Sequence, residues 1–243
     1  MSRNYEQELR TRTEWIRELV RSTGADGIVY GNSGGKDSAL VGILCKTAVE
    51  NTVALILPIS KRNYEIDRRD GIEVAVKYGI EVREIDLAPV KDAVLAAVGT
   101  QTKITDMAGA NIGPRLRMIS LYAVAASENR IIAGTGNRSE AHMGYFTKWG
   151  DGAHDFNPIG DLTVSEIYEF LAYLDAPKAV REKAPSAALF DGQTDESEMG
   201  ITYAAIDDYL LNGKASDADR AKIESYHAKS AHKRAMPVTF PAK

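Results

Sequence analysis

Several features are scarce or absent in this sequence, and each absence removes a class of function. The 243 residues contain one cysteine, Cys45, so an intrachain disulfide framework and a cysteine-based zinc site are excluded. No apolar run approaches about 18 residues and the first residues are polar, so a membrane span is not predicted. Basic charge is not in excess: the formal net charge is −4, which argues against nucleic acid as a partner. We therefore expect a soluble, cytoplasmic protein.

Apolar residues make up 44% of the chain, and their spacing alternates between strand-like and helix-like segments. Short apolar runs predict strands at 27–31, 52–57, 80–86 and 129–134. Three-to-four-residue periodicity or position between strands predicts helices at 4–22, from the first loop to about 50, and at 63–78, 163–174, 197–211 and 217–230. This alternation predicts one α/β domain over residues 1–243, an open, doubly wound, mostly parallel sheet with helices on both faces and further helices at the C-terminus.

Two stretches lack periodicity and are predicted as loops. Residues 99–110 are small and polar, and Pro114 just beyond them suits the first turn of a new helix. Residues 141–160 are rich in Gly, Asp, Asn and Pro, and a long loop in a compact domain is commonly functional.

The stretch most informative about function follows the first predicted strand. Residues 31–38 read Gly-Asn-Ser-Gly-Gly-Lys-Asp-Ser and lead directly into an apolar helix. Glycines allow the backbone to approach a ligand, and amides at a helix N-terminus favour anions. The spacing differs from the ordinary P-loop, which requires four residues between Gly and Gly-Lys. We interpret it as a phosphate-binding loop rather than as a plain glycine turn.

A second loop is expected to meet the first. Residues 134–140 follow the fourth predicted strand, and ligands of open parallel sheets bind beyond the carboxyl ends of the strands. Residues 58–63 follow the second strand and should lie at the same edge. Asp37 and Glu140 would then face the same phosphates, and two carboxylates with phosphate oxygens suit Mg²⁺.

The motifs taken together resemble the ammonia-dependent NAD⁺ synthetases, members of the N-type ATP pyrophosphatases with an adenine nucleotide α-hydrolase-like fold. The tags that carry the resemblance span most of residues 5–237: Ser-Gly-Gly-Lys-Asp-Ser at 33–38, Gly-Thr-Gly-Asn-Arg-Ser-Glu at 134–140, Gly-Tyr-Phe-Thr-Lys-Trp-Gly-Asp-Gly at 144–152, Asp-Phe-Asn-Pro-Ile at 155–159, Pro-Ser-Ala at 185–187 and His-Lys-Arg at 232–234.

The resemblance implies a reaction and a set of site residues. Deamido-NAD⁺ would attack the α-phosphate of ATP, and ammonia would then displace AMP from the adenylate to give NAD⁺. The implied ATP-binding residues are Ser33, Gly34, Gly35, Lys36, Asp37, Ser38, Thr135 and Ser186, with Asp37 and Glu140 as Mg²⁺ ligands. Those implied for deamido-NAD⁺ are Arg115, Lys148, Asp151, Asp155, His232 and Lys233. We expect Asp37, Lys148 and Asp151 to take part in catalysis. Ammonia can lose its proton to an aspartate, for which Asp151 is our candidate, or to water.

The chain also departs from the family pattern. Val164 stands where the family usually has a lysine that neutralises ATP phosphates, and Lys36 is a candidate substitute. Residues 58–63 and the Gly-Pro pair before Arg115 differ as well. Three alternatives therefore stay open: a related ligase that amidates a different carboxylate, a tRNA-modifying sulfur-transfer enzyme, disfavoured by the lone cysteine and acidic charge, and a nucleotide-binding module without turnover.

Chain length bears on the nitrogen source. A glutaminase domain would need well over 200 further residues, so free ammonia is expected. The resemblance also implies a homodimer. His142, His154 and His227 are expected to be surface residues, since no step requires a histidine base.

Overall fold

The computed structural model describes residues 3–60, 64–182 and 195–240. The strands are β1 (Gly27–Gly31), β2 (Thr52–Ile56), β3 (Glu81–Glu84) and β4 (Arg130–Ala133). The helices are α1 (Tyr5–Thr23), α2 (Lys36–Ala48), α3 (Tyr64–Tyr78), α4 (Ala88–Gly99), α5 (Asp106–Ser127), α6 (Arg138–Met143), α7 (Val164–Tyr173), α8 (Lys178–Glu182), α9 (Asp195–Met199), α10 (Tyr203–Asn212) and α11 (Asp217–Lys229), followed by a 3₁₀ turn at Ala231–Lys233.

The four described strands form one parallel sheet in the order β3-β2-β1-β4. β1 lies at the centre, where Ile28 pairs with Thr52 of β2 and with Ile131 of β4. The order reverses direction at β1, which is the topological switch point where ligands of such sheets bind. The predicted parallel α/β sheet is confirmed.

Alternate side chains of β1 enter different cores, because successive residues of a strand point to opposite faces. Ile28 and Tyr30 pack with α1, α2, α3 and α7 on one face. Val29 packs on the other face with Leu116 and Leu121 of α5. Helices therefore cover both faces, as predicted, and β1 is buried between them.

A third cluster joins the C-terminal helices to the site-bearing part of the chain. Met143 of α6 and Val164 of α7 pack with Tyr203 and Ile206 of α10 and with Ile223 of α11. This packing ties the beginning and end of the long loop after α6 to the last two helices.

Several predicted boundaries are wrong. Residues 106–110 are helical rather than loop, because α5 begins at Asp106 with Thr105 as its N-cap. Pro114 therefore lies inside α5 and not in its first turn, and its ring packs against Gly150. Helices α4 and α8 were not predicted, and the single helix expected at 197–211 is two helices, α9 and α10.

Candidate active site

The loop between β1 and α2 is held by its own side chains. Gly34 adopts φ +68°, a conformation that favours glycine. The buried Asn32 accepts a hydrogen bond from Gly34 N–H (3.1 Å) and donates one to Gly71 O (3.1 Å). Ser33 Oγ accepts from Gly35 N–H at 3.3 Å and lies 3.1 Å from Ser38 Oγ. The turn is thus preorganised, and Asn32 contributes to it although sequence reasoning gave it no role; its only signal is an Asx residue before a glycine turn.

The loops after β1 and β4 meet, as predicted. Asn137 Nδ2 donates to Asp37 Oδ1 at 3.1 Å, although the residues lie 100 positions apart. Asn137 is also the N-cap of α6: its Oδ1 accepts from Glu140 N–H at 2.9 Å, and Glu140 Oε2 accepts from Asn137 N–H at 3.1 Å. One fully buried residue, Asn137, therefore binds both candidate metal-binding carboxylates, Asp37 through its side-chain amide and Glu140 through its backbone N–H. Sequence reasoning did not identify this role, although Asn137 and Glu140 have capping-box spacing.

The surroundings of Glu140 are electrostatically unusual. Burial in the cleft, followed by repulsion from Asp37, raises the pKa of Glu140 above the ordinary range for a carboxyl. Such a pair binds a divalent cation readily, since the cation removes the repulsion. No group of three or more His, Cys, Asp or Glu side chains in the described residues could hold a metal. Two carboxylates still fit Mg²⁺, which commonly takes its remaining ligands from water and substrate phosphates.

Lys36 lies beneath this pair. Its side chain is only 5% exposed, and Nζ is 2.7 Å from Asp37 Oδ2. Burial by itself lowers the pKa of Lys36, but the charges of Asp37 and Glu140 outweigh burial and raise it above its ordinary value, so Lys36 is cationic.

The loop after α6 carries residues predicted for the acid substrate. Asp151 Oδ1 accepts from Thr147 N–H at 2.9 Å. Asp151 is exposed to solvent, but desolvation by the surrounding protein raises its pKa, while the Thr147 N–H lowers it. Arg115 of α5 donates to Lys148 O at 3.2 Å, so α5 contacts this loop.

Asp155 is positioned differently. Its Oδ2 accepts from Ile132 N–H at 2.8 Å, and its Oδ1 accepts from Tyr122 OH at 3.3 Å. Both carboxylate oxygens therefore hold β4 and α5 together in this structure. Asp155 has a visible structural role beside the substrate contact implied for it.

The C-terminal turn contacts the same loop. Lys148 Nζ donates to His232 O at 2.5 Å. Lys233 Nζ donates to Gly144 O at 2.8 Å and to Phe146 O at 2.7 Å. The structure thus brings His232 and Lys233 against the loop that carries Lys148, and their contact with substrate stays a prediction. Thr135 lies two residues beyond the end of β4, and Ser186 falls outside the described residues.

The three histidines are half-buried rather than simple surface residues. His142 stacks on His227 with ring centroids 4.1 Å apart, and His227 Nδ1 is 2.9 Å from His142 O. This pair joins α6 to α11. His154 packs against Gly134, where a Cβ would lie 2.4 Å from the ring.

A parallel sheet with a glycine turn and a helix N-terminus at its switch point is the architecture of nucleotide-binding α/β proteins. A profile of the NAD synthase family matches residues 8–237. The chain therefore belongs to the NAD synthase family. None of the described helices is both long and apolar enough to cross a membrane.

Individual relatives agree over nearly full length. The NH₃-dependent NAD⁺ synthetase of Archaeoglobus fulgidus is 42% identical over 240 residues, covering 96% of each chain. The solved NMN synthetase of Francisella tularensis is 40% identical, with a TM-score of 0.93 and coverage of 98% and 99%. The NH₃-dependent NAD synthetase of Campylobacter jejuni, solved with nitrate, is 30% identical, with a TM-score of 0.82 and coverage of 99% and 100%.

Proposed function

We propose that this protein catalyses the ATP-dependent amidation of deamido-NAD⁺ to NAD⁺ with ammonia, releasing AMP and pyrophosphate. The observation that carries the proposal is the Asp37–Asn137–Glu140 arrangement beside the glycine turn, in a chain 42% identical to an NH₃-dependent NAD⁺ synthetase. A carboxylate does not react with ammonia, so the acid has to be converted to a form with a leaving group. An adenylate supplies it.

The first step forms a bond between the substrate carboxylate oxygen and the α-phosphorus of ATP. The bond from the α-phosphorus to the bridging oxygen breaks, and pyrophosphate leaves with its electron pair. We assign the pyrophosphate to Ser33, Gly35, Ser38 and the first-turn amides of α2, with Thr135 and Ser186 as further ATP contacts. Asp37 and Glu140 would hold Mg²⁺, which neutralises phosphate charge when bound.

In the second step ammonia attacks the acyl carbon, and the bond to the AMP oxygen breaks. The nitrogen must lose a proton, and we assign the acceptor to Asp151 because its raised pKa makes it a stronger base than an ordinary aspartate. Asp151 lies on the loop that also carries Lys148, which the family resemblance places at the acid substrate.

The remaining substrate contacts are assigned to residues that this loop gathers. Arg115 binds the loop backbone, and His232 and Lys233 close it from the C-terminal side. Asp155 completes the set implied for deamido-NAD⁺. The cytoplasm, where ATP is available, stays the predicted location.

A homodimer is supported by the surface of α4 and α5. No residue of α4 is buried, although the helix is mostly apolar, and Val90 and Val98 are 44% and 42% exposed. Exposed apolar surface of this kind commonly forms part of a protein–protein interface. Because α5 also carries Arg115, a partner bound here would lie next to the substrate site.

The proposal is tested with ATP labelled at the α-phosphate, Mg²⁺, ammonium and deamido-NAD⁺. We expect AMP and NAD⁺ in equal amounts. Nucleotide binding without AMP release would contradict the proposal and favour the module without turnover. Replacing ammonium by glutamine should abolish product formation, and undiminished activity with glutamine would disprove the assignment of ammonia.

A second candidate is amidation of the mononucleotide acid to NMN. The solved NMN synthetase has a TM-score of 0.93 with this chain, against 0.82 for the C. jejuni NAD synthetase. Both acids present the same nicotinate carboxylate, so the chemistry is unchanged. Competition between equal concentrations of the two acids, with NAD⁺ and NMN quantified separately, identifies the preferred substrate.

A further inference from the structure

Lys36 is a buried cation in the middle of the candidate site. Its Nζ lies 2.7 Å from Asp37 Oδ2, 5.8 Å from the centroid of the Tyr203 ring and 6.0 Å from that of Tyr168. Tyr203 OH in turn donates to the buried Asp195 at 3.0 Å. The ammonium thus lies between a carboxylate and two aromatic faces that come from α7 and α10.

The position of the Lys36 ammonium determines which groups it can contact. Anions are expected at the loop amides and the first turn of α2, whereas the Lys36 ammonium is directed to α7 and α10 and has only 5% exposure. A buried lysine is tolerated when it is paired, and here the pair is with Asp37. The side chain therefore contacts the carboxylate rather than the place where phosphates would lie.

Asp37 is fixed on both sides by this arrangement. Lys36 contacts its Oδ2, and Asn137 donates to its Oδ1 at 3.1 Å. Since each carboxylate oxygen can accept more than one bond, Asp37 can still bind a cation from the cleft. Lys36 offsets the charge of Asp37, so a divalent cation bound there would keep more of its own charge for the phosphates.

We propose that Lys36 is the counter-ion of Asp37, a positioning residue that acts on the nucleotide through this carboxylate and not by touching a phosphate. The inference rests on the proposed function, in which Asp37 binds Mg²⁺. Lys36 therefore does not replace the phosphate contact that the family usually makes with a lysine at position 164. In this chain that position is Val164, which packs in the apolar cluster with α10 and α11.

The first test measures metal binding without nucleotide, using Mn²⁺ as the probe and electron paramagnetic resonance as the readout. Lys36→Met should bind Mn²⁺ about five- to tenfold more tightly than wild type, because one nearby positive charge is lost. Lys36→Arg keeps the charge and should stay within about twofold of wild type. Unchanged or weaker binding in folded Lys36→Met overturns the proposal, since a purely structural role would weaken binding.

Lys46→Met is the matched control. Lys46 lies on the same helix and pairs with Glu50 at 2.5 Å, away from the candidate site. The control changes the net charge of the protein by the same amount, so it should leave Mn²⁺ affinity at the wild-type value. An equal increase in the control would show a nonspecific charge effect and overturn the proposal.

The second test is a double-mutant cycle on AMP release. Lys36→Met should slow the wild-type reaction about 10- to 100-fold, and should change the Asp37→Asn protein less than about twofold. Additive effects would mean that Lys36 acts on phosphates independently and would overturn the proposal. Absence of AMP release by wild type would instead disprove the proposed function, and the Mn²⁺ comparison would still decide the role of Lys36.

Discussion

Two regions of this molecule reverse the usual distribution of side chains. At the carboxyl edge of the sheet, Lys36 and Asn137 are buried and Asp37 is largely enclosed. On the opposite side of the sheet from α2, helix α4 exposes Val90 and Val98 to solvent. Buried polar groups and exposed apolar patches are both more informative than their ordinary counterparts.

The two regions are stabilised in different ways. The buried polar groups satisfy one another: Lys36 pairs with Asp37, and Asn137 binds both Asp37 and Glu140. The apolar groove between α4 and α5, with a volume of about 390 Å³, is lined by residues that include Val94, Val98 and Ile112. The charged and polar groups of the first region pair with one another within the chain, whereas the second region leaves apolar side chains exposed.

The largest expected effect tests the polar region. Asp37→Asn should reduce AMP release by about 10²–10³-fold, because a carboxylate that stabilises transition-state charge is lost. Steady-state kinetics at saturating ATP measure the loss. Activity within tenfold of wild type would show that Asp37 is not a ligand of the catalytic metal. Glu50→Gln is a suitable control, because Glu50 is a surface carboxylate paired with Lys46.

The next prediction tests the apolar region. Val98→Asp should weaken self-association by about 100-fold, because an unpaired charge in an interface costs several kcal/mol. Analytical ultracentrifugation measures the monomer fraction. Val76→Asp is the matched control, since Val76 is 75% exposed on α3, away from α4. A dimer that survives Val98→Asp would place the interface elsewhere.

A smaller effect concerns the contact between the C-terminal helix and the site loop. Gly144 has φ +67°, and a Cβ there would lie 2.0 Å from Ser230 Cβ. Gly213 has φ +69° with no atom within 4 Å of a Cβ. Alanine at either position should cost about 1–2 kcal/mol in backbone strain.

The difference between these variants isolates the contact. Gly144→Ala should lose more stability than Gly213→Ala in chemical denaturation and should also slow AMP release, because α11 is displaced from the loop that bears Lys148. Equal losses in both variants would show that α11 does not contribute to the arrangement of the loop.

The smallest expected effect is a pH dependence of the folding stability, caused by His142 where α6 contacts α11. Burial, together with the neighbouring His227, Arg234 and Arg138, lowers the pKa of His142 from 6.5 to about 4. The unfolded chain therefore takes up a proton before the folded protein does, and stability falls as the pH decreases from about 6.5 toward 4. Partial exposure limits the effect to about 1 kcal/mol.

His142→Gln removes this titration. Urea denaturation at pH 7 and pH 5 should show a smaller acid-induced loss for the variant than for wild type. Identical losses would show that His142 stacking on His227 does not contribute to acid sensitivity.

Apolar runs in the sequence predicted the two inner strands of the sheet, β1 and β2, correctly. β1 and β2 are short apolar runs that end at polar or proline residues, and both were predicted within one residue. The start of α5 was not predicted, because Pro114 suggested a first turn, whereas the helix begins eight residues earlier under a Thr105 cap. Pro114 lies inside the helix, where it supplies no backbone donor, and it packs against Gly150.

The sequence by itself determined the parallel α/β architecture and the glycine turn at residues 31–38, since both follow from periodicity and glycine placement. Only the tertiary structure decided how the charged groups pair. Asn137 joins Asp37 to Glu140, and Lys36 turns toward Asp37, Tyr168 and Tyr203. The contacts of Asn137 with Asp37 and of Lys36 with Tyr168 and Tyr203 join residues 100 or more positions apart, and their energies depend on burial and distance, which no local pattern specifies.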